Sequence, residues 1–129
     1  MQDPPRPAEM IAAVVRFLKD DVAPGTSGRL SFQARVAANA LEIVRRHLEQ
    51  APAAEAEEHQ RLSRLLGRDG DLAELNAEIA RRIASGEIDP AAPEVSAHLW
   101  ATTLAKLALD QPTYASYRAA LAERAAKET

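Results

Sequence analysis

The chain has 129 residues and a mass of 14.0 kDa, which is enough for one domain and too little for two independent hydrophobic cores. Hydrophobic residues make up 47% and charged residues 27%, so the composition excludes an intrinsically disordered chain. The net charge of -3 lacks the basic excess of nucleic-acid-binding domains, and the absence of cysteine excludes disulfide scaffolds and thiol catalysis. We expect a single helical domain over residues 1–129.

The N-terminal segment, MQDPPRPAEM, contains three prolines and two acidic residues. A secretory signal would need a basic start followed by an apolar run. Uninterrupted apolar runs such as Ile11–Val15 are far shorter than the about 20 residues that span a bilayer. We therefore expect a cytoplasmic protein that binds neither a membrane nor nucleic acid.

Prolines and glycines divide the chain into segments with helical periodicity. The first helix is predicted to begin at Pro7 and to end before Pro24. The longest segment without proline or glycine runs from about Arg29 to Gln50 and predicts a central helix. A polar, acid-rich helix is predicted to follow from Pro52 to Leu66.

Local end signals define the remaining helices. Gly67 is a natural left-handed stop, and Asp71 with an acidic residue three positions later begins a helix that reaches Ser85. Pro93 opens a helix to about Asp110, and Pro112 opens the last one. No segment alternates as a strand does, so the sequence predicts an all-α, irregular bundle of about five or six helices.

The central helix has two apolar stripes, which predicts burial on two sides. One stripe places Asn39 in the middle of an apolar face, where an unpaired amide is costly. Arg35, Asn39, Glu42 and Arg46 form a polar edge beside that stripe. The functional interpretation is an anion pocket in which Arg35 and Arg46 bind a carboxylate or phosphate and Asn39 orients it. The structural alternative is that Glu42 pairs with Arg35 or Arg46 within the helix.

The fifth predicted helix repeats the double stripe and places Lys106 in an apolar row. A desolvated lysine has a lowered pKa and can act as a base or nucleophile. The alternative is that its stem lies along apolar surface while the ammonium reaches Asp110 or water. Trp100, on the other stripe, is interpreted as a core or interface anchor.

Other chemistry finds little support. Glu55, Glu57, Glu58 and His59 cluster on the acid-rich helix, but the paired Glu-x-x-His sets of di-iron bundles are absent, so we predict no metal site. No nucleophile elbow or dinucleotide fingerprint occurs, so we predict no cofactor and no catalytic residue, and the balance leans against an enzyme.

Three segments carry a resemblance to a known family: RPAEMIAAVVRFLKDDV, FQARVAANALEIVRRHLE and LWATTLAKLALDQPTY. Together they resemble an uncharacterised family of short helical bacterial proteins, whose genes often lie beside acyl-CoA dehydrogenases and aminoglycoside-phosphotransferase-like kinases. The resemblance implies an accessory role in acyl-CoA or small-molecule phosphorylation metabolism and assigns no activity. Its most distinctive positions are Phe32, Arg35, Val36, Asn39, Lys106, Asp110 and Pro112.

Two functions remain as expectations. The first is a non-enzymatic interaction protein that forms a homo-oligomer and serves a kinase-like or acyl-CoA dehydrogenase partner, because two helices have more apolar surface than a small monomer covers. The alternative is a protein or enzyme that binds a CoA ester, phosphate or carboxylate through Arg35, Asn39, Arg46 and Lys106.

Overall fold

The computed structural model describes residues 4–128, and every regular element in that range is helical. The all-α prediction is therefore confirmed. The elements are α1 (Pro7–Phe17), a π-helical segment (Leu18–Val22), α2 (Ala23–Gly25), α3 (Gly28–Leu66), α4 (Leu72–Ala84), α5 (Pro93–Asp110) and α6 (Ala115–Glu128).

The chain divides into two compact units. The first unit extends to Ala51 and the second begins at Pro52, and α3 runs through the boundary. That the whole chain forms one domain stays a prediction.

The sequence predicts that the first helix ends before Pro24, but the helical stretch continues past this residue. The π-helical segment follows α1 directly, and the Ala23 N–H bonds the Leu18 carbonyl, five residues back. This wider turn places Pro24 at the start of α2, where a residue without an N–H is tolerated. The helical path therefore continues to Gly25.

The predicted break at Pro52 is also wrong, because α3 continues through it for 39 residues. A proline inside a helix leaves the carbonyl four residues back without its usual donor. Pro52 lies on an exposed face between alanines, so water can bond the Leu48 carbonyl there. The two helices predicted on either side of Pro52 are one helix.

The first unit is packed through small residues. Its buried apolar residues are Val15, Ala23, Ala34 and Ala38. The buried Ser31 hydroxyl donates to the Ala23 carbonyl over 2.8 Å, which fixes the start of α3 against the start of α2. The two apolar stripes predicted to be buried on α3 are mostly exposed, because the buried face of the helix is the narrow row of serine and alanine between them.

The second unit has a larger aliphatic core. Leu62 and Leu66 of α3 pack with Leu75 and Ile79 of α4. Two end signals read from the sequence are confirmed: Gly67 ends α3 with a φ of 66°, and the Asp71 side chain accepts a hydrogen bond from the Glu74 N–H at the start of α4.

Of the last two helices, one agrees with expectation and the other begins later than predicted. α5 begins at Pro93 and ends at Asp110, as predicted. α6 begins at Ala115 and not at Pro112, because the Tyr114 N–H first closes a turn on the Gln111 carbonyl. α6, which follows this turn, contacts α5.

Candidate functional site

The predicted polar edge of α3 lies in the first unit, and two of its members face solvent. Arg35 and Asn39 are both exposed. The expectation that Asn39 lies within a buried apolar face is wrong, because the stripe to which it belongs is not covered. Its amide can be hydrated, so it carries no desolvation cost.

Glu42 has a partner on α3, Arg45, that the sequence analysis did not name. Arg45 donates to it from Nε over 3.2 Å and from Nη2 over 2.7 Å, and also reaches Glu49 over 3.0 Å. The Arg45 hydrogen bond holds the pKa of the Glu42 carboxyl below its usual range, although partial burial opposes it. The structural alternative, in which Glu42 pairs with an arginine of the same helix, therefore holds in kind with Arg45, and the Arg46 charge also lowers the pKa of the Glu42 carboxyl.

The other two predicted residues fall in different units. Arg46 is half-buried in the first unit, whereas Lys106 lies on α5 in the second. Lys106 is exposed, which agrees with the alternative in which its ammonium reaches water and not with a desolvated lysine. That Arg35, Asn39, Arg46 and Lys106 form one anion pocket stays a prediction.

The second unit contains an open cleft of about 640 Å³ that the sequence did not predict. Helices α3, α5 and α6 each contribute charged side chains to it. We call it the arginine cleft and define it by Arg61, Arg64, Glu94, Ala97, His98 and Arg124. Its volume lies in the range of sites that bind small molecules.

A hydrogen-bonded group lies in the wall of this cleft. Arg61 donates from Nε to Nδ1 of His98 and from Nη2 to Oγ1 of Thr102, each over 3.2 Å. Both acceptors are uncharged side chains when His98 is neutral. Arg61 therefore has a fixed orientation while keeping three of its five N–H groups outside these two bonds.

His98 is only 3% exposed. Burial lowers the pKa of its imidazole below the ordinary value, the Arg61 guanidinium lowers it further, and the Glu58 carboxylate opposes both. An Nδ1 atom that accepts from Arg61 carries no proton. Geometry and electrostatics thus agree on a neutral imidazole near pH 7.

The charges of the arginine cleft are unbalanced. Within residues 4–128, Arg61, Arg64 and Arg124 form no ion pair, whereas Arg45 and Arg68 each do. Glu94 supplies one carboxylate against the three guanidinium groups. Such a surface attracts an anion.

A second cavity, of about 370 Å³, adjoins the arginine cleft. The two share Ala97 and Arg124, and the second is lined further by Trp100 and Leu104 of α5. Trp100 is 59% exposed, so it is not the core anchor that the sequence suggested as one interpretation. It provides an aromatic surface beside the arginines.

The sequence contained one usable signal for this site. Val95, His98 and Thr102 follow one another at helical spacing on α5, so they share a face. Because Arg61 is 37 residues away from His98, no spacing rule brings the two together.

Exposed apolar side chains are concentrated in the first unit. Eight large ones there are between 46% and 64% exposed: Met10, Val14, Phe17, Leu30, Phe32, Val36, Val44 and Leu48. Met10, Val14 and Phe17 form one row along α1, at i, i+4 and i+7. We call these eight residues the apolar surface.

In residues 4–128, no group of three or more His, Cys, Asp or Glu side chains could hold a metal ion. His59, from the acid-rich segment, instead has its Nε2 2.8 Å from the Gly70 carbonyl and 3.2 Å from an Asp69 carboxylate oxygen. These contacts connect His59 of α3 to the loop that follows the helix.

None of the helices in the described range is long and apolar enough to cross a membrane.

Residues 24–114, more than half of the chain, match the model of a family described as a domain of unknown function, DUF6285. No curated protein and no solved structure matches the chain.

Proposed function

Because this chain belongs to the DUF6285 family, which has no assigned function, we propose from its own surface that it is a non-enzymatic interaction protein that pairs with a second copy of itself. The observation that supports this is the composition of the first unit. Val15 is its one large apolar side chain that is buried within the described residues, against the eight exposed in the apolar surface. So small a core favours further burial of apolar area by association.

The amount of exposed apolar area suits a dimer. With about half of each side chain exposed, the eight residues present on the order of 700 Å² in total, distributed over α1 and the two stripes of α3, whereas a standard interface covers about 800 Å² per partner. Up to Ala51 the sequence has seven basic and six acidic residues, a net charge of +1 (7 - 6), so little charge repulsion opposes self-pairing. A two-fold pair would place the same rows against each other.

Analytical ultracentrifugation of the full chain over about a hundredfold concentration range tests this proposal. We expect a monomer–dimer equilibrium that Phe17→Ser combined with Phe32→Ser shifts towards monomer. Leu121→Ser is the matched control, because it removes an exposed leucine of α6 outside the apolar surface. A strictly monomeric wild-type chain, or equal weakening by the control, would overturn self-association.

The further partner is proposed on the resemblance alone. It is a kinase-like protein or an acyl-CoA dehydrogenase, the two kinds of protein whose genes often lie beside those of the family that the chain resembles. Co-expression of each neighbour with the tagged chain should retain one of them, and the Phe17→Ser, Phe32→Ser variant should release it. Failure to retain either neighbour would remove this part of the proposal and leave self-association standing.

The second candidate function is binding of a small anion. Its specific support is the unbalanced charge of the arginine cleft. A thermal-shift comparison of phosphate esters and carboxylates tests it, since a ligand that binds the folded state raises the melting temperature. Including Arg35→Gln tests the predicted polar edge in the same experiment.

A further inference from the structure

The arginine cleft adjoins the second cavity, which we call the Trp100 cavity, and the chemistries of the two differ. At the junction lie Ala97, which is too small to divide them, and Arg124, which lines both. We call the two cavities together the groove. One end presents guanidinium groups, and the other presents an indole with Leu104 and Ala120. Glu123 and Lys127 also line this second end and pair with each other over 3.3 Å. A ligand that filled both cavities would need an anionic end and an apolar end.

We infer that the groove binds a phosphate monoester, with the phosphate among Arg61, Arg64 and Arg124 and the organic part against Trp100. This inference rests on the second candidate function, anion binding, and is independent of self-association. The charge imbalance alone indicates an anion, whereas this inference also specifies the class of ligand and where each end of it lies.

Charge matching favours a phosphate over a carboxylate. Three guanidinium groups and the Glu94 carboxylate leave the arginine cleft with a formal charge of +2 (3 - 1). A phosphate monoester carries about -1.5 to -2 at pH 7, whereas a carboxylate carries one negative charge. The phosphate also offers three acceptor oxygens to arginine donors that approach from two helices, α3 and α6.

Arg61 is oriented before any ligand arrives. Its hydrogen bonds to His98 and Thr102 hold the guanidinium group, so binding loses less side-chain freedom there than at a free arginine. Because neither acceptor carries a negative charge, the positive charge of Arg61 remains available to the ligand. Arg64 and Arg124 are exposed and can close on the phosphate from either side.

The organic part of the ligand is defined by Trp100. Its exposed face can stack on an aromatic ring or cover an alkyl chain. A phosphate ester of an aromatic group and a phosphate ester of an alkyl chain share the same phosphate chemistry, so the experiment includes one of each. Adenosine 5'-monophosphate represents the aromatic ester and hexyl phosphate represents the alkyl ester.

Isothermal titration calorimetry with the full chain measures the affinity of each ester, and the fluorescence of Trp100, the one tryptophan in the sequence, reports the organic end. We expect saturable binding of at least one ester and weaker binding of adenosine, hexanol and hexanoate. Which ester binds more tightly identifies the organic part.

Arg64→Gln and Arg124→Gln should each weaken ester binding by about tenfold or more, since each removes a charge-assisted hydrogen bond. Arg118→Gln is the matched control, because Arg118 is an exposed arginine of α6 outside the groove. All three positions are exposed, so folding should survive, and thermal melts verify it.

Glu94→Gln should tighten ester binding, because it removes the one carboxylate of the arginine cleft. Trp100→Ala should weaken ester binding and leave the binding of inorganic phosphate unchanged.

The outcomes distinguish failure of this inference from failure of the second candidate function, anion binding. Absence of binding by every anion overturns both. Binding that persists in Arg64→Gln and Arg124→Gln but is lost in Arg35→Gln overturns the inference and leaves anion binding in place at the predicted edge of α3. A carboxylate that binds as tightly as the phosphate esters overturns the ligand class.

Discussion

Nε of Arg61 donates a hydrogen bond over 3.2 Å to Nδ1 of His98, a histidine that is almost fully buried. This contact requires the histidine to be neutral, because a protonated Nδ1 has no lone pair to accept the bond. It also holds a positive charge close to the imidazole. Protonation of His98 would therefore break a hydrogen bond, bury a charge and place two cations side by side.

The first prediction is that the protein loses stability as the pH falls below the ordinary histidine pKa. Burial and Arg61 lower the pKa of His98 in the folded state, so below about pH 6.5 the unfolded chain binds a proton that the folded chain does not. The free energy of unfolding should then decrease by up to about 1.4 kcal/mol per pH unit, until the pH reaches the lowered folded pKa. Urea denaturation between about pH 7.5 and 5 measures it.

His98→Gln is the variant that assigns this effect. Glutamine has a carbonyl oxygen that can accept from Arg61 and does not titrate, so the decrease in this range should become shallower. His59→Gln is the control, because that side chain is far less buried and its Nε2 lies by a backbone carbonyl and an exposed aspartate. An unchanged profile in His98→Gln would contradict the proposed neutral histidine.

The second prediction concerns the bond from Ser31 to the Ala23 carbonyl. Both residues are buried, so Ser31→Ala leaves a buried acceptor without its donor. We expect the free energy of unfolding to fall by about 1–3 kcal/mol. Ser27→Ala, at an exposed position just before α3, should change it by less than about 0.5 kcal/mol. Equal effects of the two substitutions in urea denaturation would show that the buried bond contributes little.

How far the sequence predicts this structure depends on the range of the interaction. The Gly67 stop and the Asp71 cap could be predicted because each acts within one helical turn. The exposure of Asn39 could not, since helical spacing shows which residues share a stripe and not which stripe finds a partner. The buried row of α3 is marked by Ala34 and Ala38, small residues that allow close packing.

The candidate site shows the same limit more sharply. The row containing His98 and Thr102 is visible on α5, but the arginine that bonds both comes from α3. Many arginines in this chain occur at helical spacings, and only their distances to acids separate the paired Arg45 from the cleft residues. The polar edge that contains Arg35 could be identified from the sequence because its members are close together along the chain.

The third prediction tests the core of the second unit. Leu75 is fully buried among Leu62, Leu66 and Ile79, so Leu75→Ala leaves a cavity. The free energy of unfolding should fall by about 2–5 kcal/mol. The matched control is Leu99→Ala, a leucine of α5 that is partly exposed, for which we expect a smaller decrease. Similar losses in guanidinium denaturation would show that the second unit is packed more loosely than this cluster indicates.

The fourth prediction distinguishes a continuous α3 from the two helices that the sequence suggested. Pro52→Ala restores an N–H that can bond the Leu48 carbonyl and removes the steric conflict of the proline ring. If α3 is continuous, the free energy of unfolding should rise by about 1–3 kcal/mol with little change in far-ultraviolet circular dichroism. Pro24→Ala should give a smaller change, because the π-helical segment already places Pro24 where its missing N–H is tolerated.

The alternative has a different signature. If the chain broke at Pro52, Pro52→Ala would join two helices, and the helical content would increase together with the stability. Amide hydrogen exchange on either side of Pro52 then provides an independent measurement. In a continuous helix the N–H groups just after the proline are protected in the wild-type chain, since each bonds a carbonyl four residues back. Rapid exchange there that slows only in the alanine variant would contradict the uninterrupted helix.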